Sequence, residues 1–288
     1  LQEKEQIRNL FGKYVHPSIV SGLIDNPDDL ALEGRHQVQT LMFSDVAGFV
    51  GIRGQLDAEQ TVALLNEYLG EMTAEITKAD GILDKYLGDG IMAFFGPPFT
   101  PGNHALAACR AALKMDQRLA QLRDVWCEQG LPPINARIGL ATGEVIVGNI
   151  GSEQTRDYTC IGETVNLASR LEGVNKYYKT SIIIDAGTRD LLGKNVAVRE
   201  LDIIKVLGSD DPVRIFEVQA LADDQTALQK DLAEKFASAL VEYRAGRFIE
   251  AEAVFKELVS APYDDAVSSI FLKRCMMYGM SAPKKWDG

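Results

Sequence analysis

The sequence lacks several features that would assign it to a protein class at once. No window approaches roughly 18 uninterrupted apolar residues, so no membrane-spanning helix is predicted within it. The net charge of −11 argues against a nucleic-acid partner, because binding phosphates needs an excess of lysine and arginine. The three histidines form no cluster, and the four cysteines lack metal-type spacing. Scattered cysteines of this kind are typical of reduced thiols in a cytosolic protein.

The composition that remains is ordinary for a globular protein. The chain has 288 residues, of which 46% are hydrophobic and 25% charged, enough for one large domain with appendages. Three regions are predicted: a helical linker over residues 1–36, a central domain over 37–220 and a helical extension over 221–288. The linker is either a flanking helix or the end of a coiled-coil connector from an upstream sensor.

The central region alternates strand and helix signals. Apolar residues at helical spacing predict an amphipathic helix over 61–78, and further helices are predicted over 103–128 and 162–177. Two short apolar runs joined by Leu-Gly-Asp-Gly at 87–90 predict a β-hairpin. The resulting βαββαβ order predicts an α+β, ferredoxin-like fold with a mostly antiparallel sheet and helices on one face.

The last region carries only helical signals. Aromatic and apolar residues flank the turn Ala-Gly-Arg at 245–247, which resembles one tetratricopeptide-type helical hairpin. A plain helical extension is the alternative. A single hairpin cannot bury its own apolar face, so we expect it to pack on the central domain or on a partner.

Two short acidic segments in the central region are the strongest functional signal. They read FSDVAGF at 43–49 and KYLGDG at 85–90, and each places one aspartate at the end of an apolar run, beside glycine. This arrangement suits a divalent cation held against a polyphosphate. Either aspartate alone is more simply a turn residue, since Asp-Gly turns are common in hairpins. The two segments together, followed by a polar segment over 159–170 on an apparent helix, indicate a joint site.

These three segments, in this order and spacing, resemble the class III adenylate/guanylate cyclase catalytic domain across about residues 38–218. The flanks, FGKYV at 11–15 and WDG at 286–288, resemble bacterial adenylate cyclases with an extracellular CHASE2 sensor and membrane helices upstream. The resemblance implies a cytoplasmic catalytic domain in a full-length protein anchored in the cell membrane. It also implies that the linker transmits a signal from that upstream region.

The resemblance assigns a metal and phosphate site. Asp45 and Asp89 match the two metal-binding aspartates, with the backbone carbonyl of Val46 as a further ligand. Two Mg²⁺ or Mn²⁺ ions are expected there, completed by substrate phosphates. The residues expected to hold the terminal phosphates through backbone amides are Ala47, Gly48 and Phe49.

Two polar residues on the predicted helix would act on the ribose and the phosphate. Asn166 and Arg170 are four residues apart, so they share one helix face. By resemblance, Asn166 orients the ribose and Arg170 neutralises the phosphoryl group in the transition state.

Lys85 and Thr159 match the pair that selects the base. A lysine ammonium can donate toward N1 of adenine, and a threonine hydroxyl can accept from its 6-amino group. This implies ATP as the substrate. Guanylate cyclases resemble this layout but place Glu and Cys at these positions; Cys160 is one residue out of that register.

One departure from the family concerns the triphosphate. The family usually has Val-Lys-Gly near its penultimate strand, where the lysine contacts the triphosphate, and this chain has Val-Leu-Gly at 206–208. Lys205 lies two residues before Leu207, which on a strand puts both on one face. Lys205 is therefore the expected substitute.

The resemblance implies a head-to-tail homodimer that shares its sites. Asp45 and Asp89 would come from one subunit, and the base, ribose and phosphate residues from the other. The implied reaction converts ATP to 3′,5′-cyclic AMP and pyrophosphate. The alternatives are a guanylate or mixed-specificity cyclase, and a weakly active nucleotide-binding regulator. The Gly-Gly-acidic-Glu-Phe signature of diguanylate cyclases is absent around residues 87–90.

Overall fold

The computed structural model describes residues 34–152, 154–206, 211–280 and 286. Over these residues the chain forms an eight-stranded sheet with helices on both faces. Within this part of the chain, no helix is both long enough and apolar enough to cross a membrane. The predicted linker lies almost wholly outside the described residues, as do Leu207 and Gly208.

The elements alternate along the central region and become all-helical after the last strand. The strands are β1 (Arg35–Val46), β2 (Ile82–Leu87), β3 (Gly90–Phe95), β4 (Ala136–Gly151), β5 (Arg156–Ile161), β6 (Ile182–Asp185), β7 (Val196–Ile204) and β8 (Val213–Leu221). The helices are α1 (Phe49–Arg53), α2 (Ala58–Lys78), α3 (His104–Glu128), α4 (Glu163–Tyr178), α5 (Ala186–Leu192), α6 (Ala227–Arg244), α7 (Phe248–Leu258) and α8 (Ala266–Met280).

The sheet contains the predicted ferredoxin-like unit. Its strand order is β2-β3-β1-β4-β6-β8-β7, with β5 paired to β4. Only β4 and β6 run parallel among these pairs, so the sheet is mostly antiparallel as predicted. Helices α2 and α3 of the βαββαβ unit pack on one face. The opposite face is covered by α4 and the C-terminal helices, so the prediction of helices on one face holds only for that unit.

Local sequence explains where the two long helices begin. Asp57 and Gln60 form a capping box at the start of α2, and Asn103 accepts from the Leu106 amide at the start of α3. The predicted helices at 61–78 and 103–128 are therefore confirmed within a few residues. Strand β1 begins at Arg35, so it includes two residues that the prediction placed in the linker.

Helix α4 lies unusually close to strand β4 because two glycines face it. A Cβ atom at Gly139 would lie 2.2 Å from the Glu172 backbone nitrogen, and one at Gly143 would lie 2.6 Å from Thr164 Oγ1. Residues four apart on a strand share a face, so the two glycines form one seat for the helix. This contact positions the residues that α4 carries.

The C-terminal helices form one unit with the central domain. The predicted hairpin is present as α6 and α7, and α8 adds a third helix that was not predicted separately. Their aromatic core is continuous with buried residues of the sheet, including Leu201 and Ile215. The buried Arg199 in β7 forms an ion pair with Asp265 at 2.9 Å, which ties the unit to the sheet. The expected packing on the central domain is therefore confirmed.

Phe271 is the centre of this unit and offers a test of its packing. Its ring is fully buried and contacts Phe236, Tyr243 and Phe255 at centroid distances of 5.2–5.4 Å. Phe271→Ala should lower the free energy of unfolding by about 3–5 kcal/mol, because it removes a large buried side chain and leaves a cavity. Urea denaturation measures this. Ile249→Ala on α7, where the residue is 78% exposed, is the matched control and should change stability by less than about 0.5 kcal/mol. Equal effects of the two variants would contradict the packing.

Candidate active site

Asp45 and Asp89 are brought together at one edge of the sheet. Asp45 is the penultimate residue of β1, and Asp89 lies in the turn between β2 and β3. Strand β3 pairs with β1 as far as Ser44 opposite Ile91, which carries the turn to the end of β1. The position of Gly90 allows this approach, since a Cβ there would lie 3.0 Å from the Ser44 carbonyl oxygen and 3.6 Å from Asp45 Oδ1. The fold thus brings the two predicted aspartates close together.

A single guanidinium partly balances the negative charge at this edge. Arg137, at the start of β4, donates from Nη2 to Asp45 Oδ2 at 2.8 Å and from Nε to Glu172 Oε1 at 2.7 Å. Burial raises the pKa of Glu172, which Arg137 opposes and the charges of Asp45 and Asp89 reinforce. Burial likewise raises the pKa of Asp89, and Asp45 adds to the rise.

The phenol of Tyr68 lies beneath the same cluster. Its hydroxyl is 3.3 Å from Ser44 Oγ. Burial raises the pKa of Tyr68 to about 12, with Asp45, Asp89 and Glu172 contributing in the same direction. The phenol therefore stays neutral near neutral pH, so it adds no charge next to the carboxylates.

The donor set at this edge fits a hard divalent cation. Asp45 and Asp89 offer carboxylate oxygens, and their mutual repulsion would be relieved by a positive ion. Within the described residues, no three His, Cys, Asp or Glu side chains are arranged to hold a metal. A cation here would therefore need further oxygens, such as the Val46 carbonyl and substrate phosphates. The expected pair of Mg²⁺ or Mn²⁺ ions remains a prediction.

The phosphate-binding backbone is formed in part. Gly48 has φ 75° and caps α1, a left-handed conformation that favours glycine. The amide of Phe49 opens the helix, where no intrahelical acceptor exists. The Ala47 amide, however, donates to the Asn135 carbonyl at 2.7 Å, so it is already engaged. Binding of phosphate by Ala47 would require that bond to break.

Lys85 and Thr159 meet around a residue that was not predicted, Asp84. The Thr159 hydroxyl donates to Asp84 Oδ2, and Lys85 Nζ lies 3.3 Å from Asp84 Oδ1. Lys85 also lies 3.3 Å from Asp157 on β5.

Strand β5 reaches Asp84 because the side chain of its Tyr158 packs on aromatic residues in and next to the sheet. The Tyr158 ring lies 6.3 Å from Phe94 and 5.8 Å from Phe99, measured between centroids. This packing places the neighbouring Thr159 beside β2. The structure therefore brings the predicted base-selecting pair together within one chain.

Asn166 and Arg170 lie on the first half of α4, as predicted. Asn166 is exposed and Arg170 half-buried, while Ala168 and Leu171 are buried on the other side of the helix. Among the described residues, neither Asn166 nor Arg170 has a side-chain hydrogen-bond or ion-pair partner. Both side chains are thus available to a ligand or a second subunit.

Lys205 does not occupy the position that the strand argument required. Strand β7 ends at Ile204, and Lys205 is an exposed residue after it. Alternation along a strand therefore does not place Lys205 on the same face as Leu207, which lies outside the described residues. A triphosphate contact from Lys205 remains a prediction without that support.

Three residues of the site were missed from the sequence: Asp84, Arg137 and Glu172. Asp84 and Arg137 are charged residues next to apolar ones in strands, which is a signal that could have found them. Glu172 has no such signal, because its helix carries other charged residues. The roles of all three depend on partners distant in sequence, which the pattern does not reveal.

A ferredoxin-like sheet with paired aspartates at a strand edge and an Asn/Arg helix defines a nucleotidyl cyclase type of domain. Residues 32–219 match the family model described as the adenylate and guanylate cyclase catalytic domain. The chain belongs to this family.

The proteins similar to this chain include both adenylate and guanylate cyclases. Adenylate cyclase 1 of Rhizobium meliloti (strain 1021) is 33% identical over 72% of this chain and 31% of its own length. The adenylate cyclase of Anabaena cylindrica is 36% identical over 63% of this chain and 36% of its own length. The chain thus spans about a third of these relatives.

The solved adenylyl cyclase CyaB from P. aeruginosa is 38% identical, with a TM-score of 0.63, and covers 68% of this chain and 100% of that one. The guanylyl cyclase Cya2 is 34% identical, with a TM-score of 0.62, over 68% of this chain and 98% of that one.

The raised pKa of Asp89 leads to a stability prediction in metal-free buffer. A carboxyl whose folded pKa exceeds its unfolded value makes the folded state bind more protons, so stability falls as pH rises from the unfolded pKa through the folded one. Asp89→Asn removes the carboxyl group and with it this loss of stability at high pH. The variant should therefore have a melting temperature at pH 7 that is higher by a few degrees at most. The gain should shrink as the pH is lowered through the raised pKa of Asp89.

Differential scanning fluorimetry in EDTA, repeated across pH, measures this. Asp124→Asn, an exposed residue on α3, is the control and should leave the melting temperature unchanged. A lower melting temperature of Asp89→Asn at pH 7 would contradict the charge repulsion inferred for this site.

Proposed function

We propose that the chain is the catalytic domain of an adenylate cyclase, which converts ATP to 3′,5′-cyclic AMP and pyrophosphate. The observation that carries the proposal is the convergence of Asp45 with Asp89 at the same sheet edge. The adenylate cyclases among the relatives, and the Lys85 and Thr159 pair, favour adenine over guanine.

The chemistry needs the 3′ hydroxyl to attack the α-phosphorus while pyrophosphate leaves. Two divalent cations held at Asp45 and Asp89 would activate that hydroxyl and neutralise the oxygens around phosphorus. Arg170 would supply a planar, permanently charged donor to the phosphoryl oxygens, and Asn166 would hold the ribose for in-line geometry. Arg137, already bonded to Asp45, fixes one carboxylate in place.

We propose that the active unit is a homodimer with shared sites. Exposed apolar residues are close in sequence to site residues: Tyr86 and Leu87, 46% and 49% exposed, lie between Lys85 and Asp89, and Ile161, 46% exposed, follows Thr159 by two residues. Apolar groups beside a polar site suit burial by a second copy. Rotation of one subunit against the other would then disturb the in-line geometry and act as a switch.

The remainder of the full-length protein is proposed by resemblance. The helical linker would connect the domain to an upstream CHASE2 sensor and membrane anchor. The C-terminal helices would form a tetratricopeptide-like hairpin whose exposed face is open to a partner.

A second candidate is a guanylate or mixed-specificity cyclase. The similarity to Cya2, a guanylyl cyclase, is the observation in its favour. The presence of lysine and threonine, rather than Glu and Cys, at residues 85 and 159 argues against it.

Direct assay tests the proposal. Purified chain incubated with ATP and Mn²⁺ or Mg²⁺ should form cyclic AMP and pyrophosphate, and GTP should be used at least about 10-fold less efficiently, because the base contacts match adenine. Chromatography of the products measures both, and EDTA should abolish them. Preferential formation of cyclic GMP would replace the proposal with the second candidate, and release of free phosphate alone would overturn both.

Complementation tests the shared site. Asp45→Ala and Arg170→Ala should each be nearly inactive, because each removes one half of both sites. Co-expression should restore roughly a quarter of wild-type activity, since about half of the dimers are mixed and each has one intact site. The activity of the purified mixture measures this.

The matched control is co-expression of Asp45→Ala with Asp89→Ala. Both changes fall on the same half, so every site of a mixed dimer remains damaged and no activity should return. If the first mixture also stays inactive, the site is not shared in this way.

A further inference from the structure

Asp84 lies at an irregular point of strand β2. The pairing of β2 with β3 shifts register between Leu83 and Lys85, which is a bulge at Asp84. A bulge redirects side chains that would otherwise alternate between the two faces. Asp84 and Lys85, although adjacent in sequence, can therefore approach each other, and the Asp84 side chain is only 1% exposed.

The buried carboxylate accepts a hydrogen bond from one of the residues that would contact the base and forms an ion pair with the other. Its Oδ2 accepts from the Thr159 hydroxyl, and its Oδ1, which has no aligned hydrogen-bond donor, lies 3.3 Å from the Lys85 ammonium. Burial raises the pKa of Asp84, and the Thr159 hydroxyl, Lys85 and the Cys160 backbone oppose that rise. An ionised carboxylate is acceptor-only, so a hydroxyl that bonds it must donate its hydrogen.

The direction of this hydrogen bond limits what Thr159 can do. A threonine hydroxyl has one hydrogen, and here it points at Asp84. Only the lone pairs of Oγ1 remain for a ligand. They can accept from the 6-amino group of adenine, whereas the 6-keto oxygen of guanine or hypoxanthine would meet lone pairs without a hydrogen between them.

We propose that Asp84 is a specificity-determining positioning residue, which makes Thr159 an obligate acceptor and so selects a 6-aminopurine over a 6-oxopurine. The proposal rests on the proposed cyclase function. Asp84 itself need not touch the base: it acts through Thr159, and its charge holds the Lys85 ammonium beside N1.

Asp84→Asn tests the proposal with little change in shape. The new amide can donate to Thr159 Oγ1, which frees the hydroxyl hydrogen to reach a keto oxygen. The ratio of kcat/KM for ATP to that for ITP should fall roughly 10-fold or more. ITP carries the keto group without the 2-amino group of GTP, and it also carries a hydrogen on N1. Because Lys85, the residue expected at N1, is unchanged in every variant, a change in the ratio between variants reports on the 6-position. Purine riboside triphosphate, which has only hydrogen there, is the reference substrate.

The control is Asp157→Asn. Asp157 also lies 3.3 Å from Lys85, but its side chain is 68% exposed, and the Thr159 hydroxyl donates to Asp84 instead. This variant removes a nearby negative charge and should change the ATP-to-ITP ratio by less than about two-fold.

Thr159→Val provides a second, independent measurement. It removes the hydroxyl while keeping the shape, so it should itself lower the ATP-to-ITP ratio, and adding Asp84→Asn should then have no further effect on that ratio. If Asp84→Asn does not fold, the ratio in Thr159→Val alone decides, and an unchanged ratio overturns the proposal.

The outcomes are separable from those of the function itself. An unchanged ratio in Asp84→Asn, or an equal loss with all three substrates, would mean that Asp84 is only structural and would overturn the proposal while leaving the cyclase function intact. A wild-type chain that forms no cyclic product from any of the three substrates overturns the proposed function, and the role of Asp84 with it.

Discussion

A chain of ion pairs from Asp45 through Arg137 to Glu172 connects three elements of the cyclase domain. It joins the end of β1, the start of β4 and the helix α4 through one guanidinium. A planar arginine can bond two carboxylates at once, which a lysine would do less well. Because α4 also carries Asn166 and Arg170, the same contact links the predicted cation site to the helix of the ribose and phosphate residues. The glycine seat at Gly139 and Gly143 brings that helix close enough for the link to form.

The described part of the chain holds two chemically different groups of residues. The edge at Asp45 and Asp89 is rich in carboxylates and suits cations with phosphate. The side chains of Lys85 and Thr159 offer a donor and an acceptor that suit a purine edge. In the homodimer proposed above, exposed apolar residues near these groups would be buried between the copies, and the geometry between the copies would control the rate.

The C-terminal helices belong physically to the catalytic domain. The buried Arg199 and the ion pair of Arg274 with Asp202 at 2.7 Å connect α8 to β7, and Arg274 also reaches Tyr177 at the end of α4. The C-terminal unit is therefore bonded to the end of the helix that carries Asn166 and Arg170. The sequence predicted the helical hairpin from its aromatic spacing, and the mutual burial of those rings with the sheet supplies the reason why it packs there.

The order of the ferredoxin-like unit, its two long helices and the two aspartates could be predicted from the residues alone. Periodicity and turn residues act over a few positions, so these features can be read locally. Other features are visible only in the tertiary structure. They are the position of Arg137 between two carboxylates, the hydrogen bond already made by the Ala47 amide, and the end of β7 before Lys205. The proposed role of Asp84 is likewise visible only there, because a bulge and the packing of β5 depend on contacts between distant segments. Contacts of that kind have no signature in the residues on either side.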